Sequence, residues 1–560
     1  MALMLPMTAQ AQSVSGAYLA GRHAVMENDF AAGADYHTRA LEFDPDNPAL
    51  MEAQVVAFVG LGRADEAAPG AHRMEALGLN SQVAHMVAVA DLVAQGDFAA
   101  ILARDDGPEL GIGPLIDGLI RAWAHVGTGS VSEALVQFDV VAEERGLMGF
   151  ARYHKAMALA SVGDFEGAEA VFAGDAGPQA MITRRAVLAR AEILSQLGDN
   201  DQALKVIADA FTGGNDPVMT AMADRLASGE TVPFDQVTSA RDGMAEVFFT
   251  IGAALHGEAA DDYTLLYARL AAHLNPGLID AQLLSAELLD RLGQYDLAVA
   301  TYQTIPQDSP DRFSAELGRA EVLRRAAKPD AAIEVLEALA QDFPEHALVH
   351  SALGDLLRQQ ERYGDAAAAY DRALQFTEDG APAQWALYYA RGICHERLKD
   401  WTRSEADFRR ALALSPDQPQ VLNYLGYSMV EKQVNLDEAL EMIERAVAAR
   451  PDSGYIVDSL GWVLFRLGRY GDAVGHMETA VELMPVDAVV NDHLGDVYWA
   501  VGRFREAEFQ WRRALSFIDP DDTDSEADPV RIRRKIDIGL DRVLADEGAE
   551  PLTNTTDGVN

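Results

Sequence analysis

One cysteine, Cys394, stands in a chain of 560 residues. A disulfide within the chain is therefore excluded, and with it the small cross-linked scaffolds of secreted domains. A zinc site built on paired cysteines is excluded as well. Cys394 reads as a small packing residue on a helix. As a nucleophile it would need an activating base, and neighbouring His395 projects from another side of that helix. Positive charge is also scarce: 45 Lys and Arg face 88 Asp and Glu, for a net charge of −43. Phosphate backbones require a basic stripe, so nucleic acid is excluded as a partner class. The same field repels anionic lipid headgroups. The acidic surface either serves solubility alone or also steers a basic partner. No apolar run approaches the ~18 residues that a membrane-spanning helix needs. Alternating β-branched runs are nearly missing, so strands are not expected.

Catalytic signatures are missing too. There is no Gly-x-x-x-x-Gly-Lys loop and no His-Glu-x-x-His pair; Gly111-Ile112-Gly113 lacks the third glycine of a dinucleotide turn. Gly426-Tyr427-Ser428 lacks the last glycine of a nucleophile elbow and falls inside a helical pattern. His493 lies near Asp492 and Asp496, but a lone histidine on a helix is more often structural, and no cluster of Cys and His suggests a metal. The expectation is a non-enzymatic chain without cofactor, metal or catalytic residues.

What the chain has is a period. Gly354, Gly392, Gly426, Gly461 and Gly495 are spaced 38, 34, 35 and 34 residues apart. Ala366, Ser404, Ala439, Ala473 and Ala507 run in step with them. Two small residues at fixed phases are what two closely crossing antiparallel helices need. The unit 488–521 carries Leu494-Gly495, Tyr498, Ala507, Trp511 and Ala514; the one before it carries Leu460-Gly461, Leu464, Tyr470, Ala473, Met477, Ala480 and Pro485. Residues 385–418 have Gly392, Trp401, Phe408, Ala411 and Pro416, and the unit between holds one extra residue at its inter-helix turn. The spacing and the residue types resemble the 34-residue tetratricopeptide repeat. The resemblance implies an all-α fold, a tetratricopeptide α-solenoid in which antiparallel helix pairs wind into a right-handed superhelix of about 12–14 repeats.

Along the chain, Met1 to Ala11 is apolar and ends in Ala9-Gln10-Ala11, a small-x-small cleavage pattern. Residues 1–11 are read as a truncated signal-peptide remnant, which predicts export to the periplasm; the alternative is a frayed start on a cytoplasmic chain. A degenerate repeat array is expected over 14–217, an irregular seam over 218–244, a middle array over 245–380 and a well-formed array over 385–521. An acidic linker, Asp519 to Pro529, precedes an amphipathic helix over 530–547. Val530, Ile536, Leu540 and Val543 or Leu544 fall near one face of it, and Arg531, Arg533, Arg534 and Lys535 cluster near its start. That helix either caps the last repeat or serves as a basic docking element. Residues 548–560 are expected to be disordered.

In such a stack the first helix of each pair lines a concave groove. The groove-facing phase selects Asn423 and Tyr427; Asp458, Trp462, Phe465 and Arg466; and Asp492, Asp496 and Trp499. Aromatics beside carboxylates and an amide suit an extended or helical peptide. The same aromatics would equally serve packing between repeats. A clamp for a C-terminal carboxylate is not expected, because only Arg397 and Arg466 supply positive charge nearby.

The stretch 385–518 is similar to one group in particular. Asn423-Tyr424-Leu425-Gly426-Tyr427, Tyr455-Ile456-Val457-Asp458-Ser459-Leu460-Gly461-Trp462, Asn491-Asp492-His493-Leu494-Gly495-Asp496 and Gln510-Trp511-Arg512-Arg513-Ala514-Leu515 carry the likeness. It resembles proteobacterial envelope tetratricopeptide proteins, including the lipoprotein adaptors of a periplasmic carboxy-terminal processing protease. The resemblance implies an adaptor that holds a protease and presents substrates such as peptidoglycan hydrolases. The chain departs from those lipoproteins in lacking the lipid-bearing cysteine. The alternatives are an assembly subunit of an outer-membrane or polysaccharide-export machine and, from another class, an enzyme with its site in the 218–244 seam.

Overall fold

The computed structural model describes residues 14–104, 111–174, 183–210, 216–519, 526–549 and 551–552. They form 31 helices, from Val14–Met26 to Leu540–Asp546, and among them no strand. The expected all-α tandem of helix pairs is therefore the architecture. The segment 1–11, expected to be a signal-peptide remnant, and most of the expected tail lie outside the described residues.

Local chemistry sets the helix boundaries. Asp400 opens the helix Trp401–Leu414 by accepting a hydrogen bond from the backbone of Arg403, which satisfies one orphan N–H of the first turn. Pro419 opens Pro419–Glu431 at a position where its missing N–H costs nothing. First helices end in a left-handed residue. Gly468 and Gly502 fill that place in the last repeats (φ 74° and 81°). Glu361, Lys399 and Gln433 fill it in the earlier ones (φ 58°, 61° and 56°), at a cost that glycine would not carry.

The periodic glycines are explained by what they face. A Cβ on Gly354, Gly392, Gly426 or Gly461 would lie 2.7–2.8 Å from Tyr370, Phe408, Ile443 and Met477 in turn, and one on Gly495 would strike Trp511. Each glycine thus receives the large residue that the second helix sends across. Ala366, Ser404, Ala439, Ala473 and Ala507 are fully buried at the same crossings.

Two compact units divide the chain, Met1–Val335 and Leu336–Asn560. In the first, the coil at 228–239 follows the helix Pro217–Ala227 and precedes Ala240–Leu255. It is tied down by Ser195, whose hydroxyl accepts from the Val232 backbone, and by Glu192, which accepts from Asp235 and Gln236. Beyond the coil, Ala240–Leu255 packs on Pro114–Gly127 and Met148–Ser161, and Asp261–Leu274 packs on Pro48–Gly60. Met51 to Ala158 and Val237 to Ala281 therefore contribute to a single core. A polar hub sits in it. Glu246, 1% exposed, accepts hydrogen bonds from Tyr153 at 2.7 Å and Arg185 at 2.9 Å. Arg184 beside it reaches Asp216, Asp280 and Asp311. The second unit stacks its pairs in sequence from Ala347–Gln359 to Phe504–Phe517, and the first helices of successive pairs also touch.

The amphipathic segment after the last repeat differs from the single helix expected over 530–547. It breaks at Gly539 (φ 85°) into Pro529–Ile538 and Leu540–Asp546. The reason is a close approach: a Cβ on Gly539 would lie 2.6 Å from the Trp499 ring. Val530, expected on the apolar face, is 62% exposed, and Ile532 takes its place in the core with no exposed surface.

Candidate functional site

The helices Gln384–Arg397, Pro419–Glu431, Gly454–Arg466 and Ala488–Ala500 are the first members of their pairs. They enclose a pocket of about 370 Å³. Of the nine residues selected from sequence, Asn423, Tyr427 and Asp458 line it; His493, Tyr424 and Tyr455 complete much of the wall. Asn423 is 7% exposed, and its side-chain oxygen accepts no hydrogen bond from the protein.

Asp458 accepts a hydrogen bond from His493 Nδ1 at 3.0 Å. Burial alone would lower the histidine's pKa, but the carboxylates of Asp458, Asp492 and Asp496 outweigh it and bring the imidazole up to about 9. His493 is therefore a cation at neutral pH, and Trp462 stacks on it with ring centres 4.0 Å apart. Trp462 also stacks on Phe465 and donates from Nε1 to Glu431 at 2.9 Å. Arg466 lies 3.8 Å from the same Glu431. Of these five side chains His493 and Glu431 line the pocket, and Trp462, Phe465 and Arg466 are not among its lining residues.

The remaining three residues are covered by the chain's own C-terminal segment. Lys535, with no exposed surface, places Nζ 2.7 Å from one Asp492 oxygen, 2.8 Å from the other and 2.7 Å from Asp496. Burial, ahead of the Lys535 attraction, pushes the Asp492 carboxyl upward. Asp496 accepts as well from Trp511 Nε1 at 2.8 Å. Trp499 donates to Asp541 at 3.0 Å and packs on Phe504 and Trp511. At the other end, Tyr427 donates to Glu526 at 2.7 Å, so Glu526 forms part of the pocket wall. Burial, then the Glu526 charge, holds this phenol protonated far above its usual range.

Sequence reasoning assigned the basic cluster of 530–547 to a cap or a docking helix without placing Lys535 against Asp492 and Asp496. A signal was present. Lys535 shares a helical face with Ile532 and Gly539, three and four residues away, so it projects with Ile532 toward the core. The paired carboxylates at 492 and 496 are one turn apart on a groove-facing helix.

Cys394 is fully buried and free, and burial pushes its thiol up to about 11. Among the described residues no group of three or more His, Cys, Asp or Glu side chains is placed to hold a metal ion, and no helix is long and apolar enough to cross a membrane.

Models of the tetratricopeptide repeat match residues 280–312, 317–381, 385–418 and 432–488. Over 106 residues the chain is 34% identical to a TPR repeat-containing protein of Pseudomonas aeruginosa, covering 18% of each. Over 123 residues it is 28% identical to the E3 ubiquitin-protein ligase CHIP of Arabidopsis thaliana, covering 20% of this chain and 42% of that one. The chain thus spans less than half the length of these curated relatives. Among solved structures, the APC/C hetero-tetramer Cut9–Hcn1 is similar at 14% identity over 96% of this chain and 98% of that one, with a TM-score of 0.38. YrrB, described as a TPR protein with an unusual peptide-binding site, is similar at 20% identity over 34% of this chain and 95% of its own, with a TM-score of 0.28.

Proposed function

We propose that this tetratricopeptide-repeat protein is a non-enzymatic scaffold that captures a segment of a partner protein in the groove of its C-terminal unit. The observation that carries the reading is Asn423. It lines a pocket whose other side chains are mostly aromatic or charged, with Ser428, Ser459 and Val489 among them, and its buried amide oxygen has no hydrogen-bond partner. A buried acceptor left unmade costs about 1–3 kcal/mol, and a peptide N–H entering the pocket would recover it. Tyr424 and Tyr455 supply apolar surface beside it, and the ion pair of His493 with Asp458 fixes the floor.

The test is a random peptide library selected on the full chain. Asn423→Leu should weaken the selected peptides roughly tenfold, about 1.4 kcal/mol, with helix content unchanged by circular dichroism. Selected peptides indifferent to that change would overturn the reading.

The compartment and the partner are part of the same proposal. The apolar start ending in Ala9-Gln10-Ala11 and the envelope-protein motifs of 385–518 favour an exported adaptor that links a periplasmic processing protease to cell-wall hydrolases. Fractionation of native cells, with mass spectrometry of what the tagged chain retains, tests this. Recovery from cytosol alone would remove both the export and the protease.

A further inference from the structure

A cap for the last repeat would need only to cover the free edge of Phe504–Phe517. The segment after it does more. It returns at residue 526 to Tyr427, on a helix two repeats earlier, with Ala527 only 2% exposed. It then runs back to Ala488–Ala500 as Pro529–Ile538 and Leu540–Asp546. Its polar contacts fall on groove-facing positions: Tyr427 with Glu526, Asp492 and Asp496 with Lys535, and Trp499 with Asp541. Its two helices are clamped to each other by Arg531 with Glu547 and Arg534 with Asp546. Ile532, Leu540 and Val543 bury fully beneath them. Each short helix docks as amphipathic helices do, Ile532 with Lys535 on the first and Leu540 with Val543 on the second, apolar anchors beside a charged residue that fixes register.

We propose that residues 526–549 are an internal ligand of the groove, held in cis, and that the partner which displaces them presents a lysine on an amphipathic helix to Asp492 and Asp496. The proposal rests on the groove being the binding surface. Two carboxylates one turn apart, buried beside the Trp511 ring, stay buried only with a cation between them. Three carboxylate oxygens within 2.8 Å of one nitrogen suit a compact ammonium better than a planar guanidinium. A partner that takes this surface must replace that charge, and the net charge of −43 draws a basic segment toward it.

The probe is a fluorescein-labelled synthetic peptide with the sequence of residues 526–549, titrated into the full-length chain and into full-length Lys535→Gln. A tethered competitor acts at an effective concentration on the order of millimolar, so wild type should bind the peptide at least ~10-fold more weakly than the variant. A peptide carrying Lys535→Gln should bind neither chain. Absence of peptide binding to both chains, with helix content intact, would overturn the internal ligand. Should Lys535→Gln fail to fold, hydrogen exchange on the wild type decides. Amides of 529–546 should exchange at least ~10-fold faster than those of Phe504–Phe517, as for a unit that opens alone; equal protection overturns the proposal. Library peptides enriched on Lys535→Gln should carry lysine, and a set without basic residues overturns the stated partner. The Asn423→Leu test remains separate, because none of the Lys535 contacts involves Asn423. Failure there with the 526–549 peptide still bound would remove the pocket and keep the internal ligand.

Discussion

The two units use the same repeat in opposite ways. In the first, helices beyond residue 239 fold back on earlier ones, so Ala240–Leu255 and Asp261–Leu274 share one core with them. In the second, the pairs follow one another in order, and a pocket survives between their first helices. The difference lies less in the helices than in the connections. Left-handed turns join helices in both units, and the coil at 228–239 redirects the chain in the first. Each unit buries an acid with a base, Glu246 with Arg185 and Asp492 with Lys535. The first pair lies between helices of the core. The second joins the core to a terminal segment that can leave.

The largest test of this comparison is Glu246→Ala. It leaves Tyr153 without its acceptor and Arg185 with Asp280 as its one carboxylate, and should cost about 3–5 kcal/mol. Five of the six tryptophans lie in the second unit, so tryptophan fluorescence reports mainly on that unit and circular dichroism on both. The variant should split the two urea unfolding curves, with the fluorescence midpoint unmoved. Coincident shifts would mean that the units do not unfold separately.

Proton linkage should separate the units by about 3 kcal/mol or less, over different pH ranges. Burial, aided by Asp235, raises Glu192 of the first unit to about 8. A folded pKa above the ordinary 4.5 gives stability that is complete below pH 4.5 and is lost as pH rises through 8. His493 of the second unit, raised to about 9, gives stability that is complete below pH 6.5 and is lost as pH rises through 9. Thermal melts across pH 5–9, read by both probes, should show the first unit weakening before the second. Glu192→Gln and His493→Gln should each flatten one slope alone.

A smaller effect probes the crossings. Gly461→Val would drive a side chain into Met477 and should cost about 1–3 kcal/mol, visible in the fluorescence transition. An unchanged midpoint would mean that the pair can spread. The smallest effect has the opposite sign. Lys399→Gly places glycine at φ 61° and should stabilise the second unit by about 0.5–1 kcal/mol in the same measurement. A loss there would show that the lysine side chain contributes more than its backbone strain.

Most of the helix pairing was legible, because its determinants lie close together along the chain. Gly495 and Trp511 form one crossing within one repeat, and the same is true of Gly392 and Phe408. The groove was half legible. Phase alone put Asn423, Tyr427 and Asp458 on the surface where the pocket forms. It also selected Asp492, Asp496 and Trp499 without revealing what covers them, because the covering residues come from another segment. Trp462 satisfied the phase rule and turned out to brace His493 from the side, a distinction that spacing does not contain.

The sequence by itself determined an all-α chain of helix pairs: small residues opposite large ones at a 34-residue period admit few other packings, and both partners of each crossing belong to one repeat. The tertiary structure decided which first-helix faces stay free. That outcome depends on contacts between residues far apart in the chain, such as Tyr427 with Glu526, 99 positions apart, Tyr153 with Glu246, 93 apart, and Arg269 with the Gly60 carbonyl, 209 apart. No local period encodes these, because each is fixed only when the intervening helices have packed.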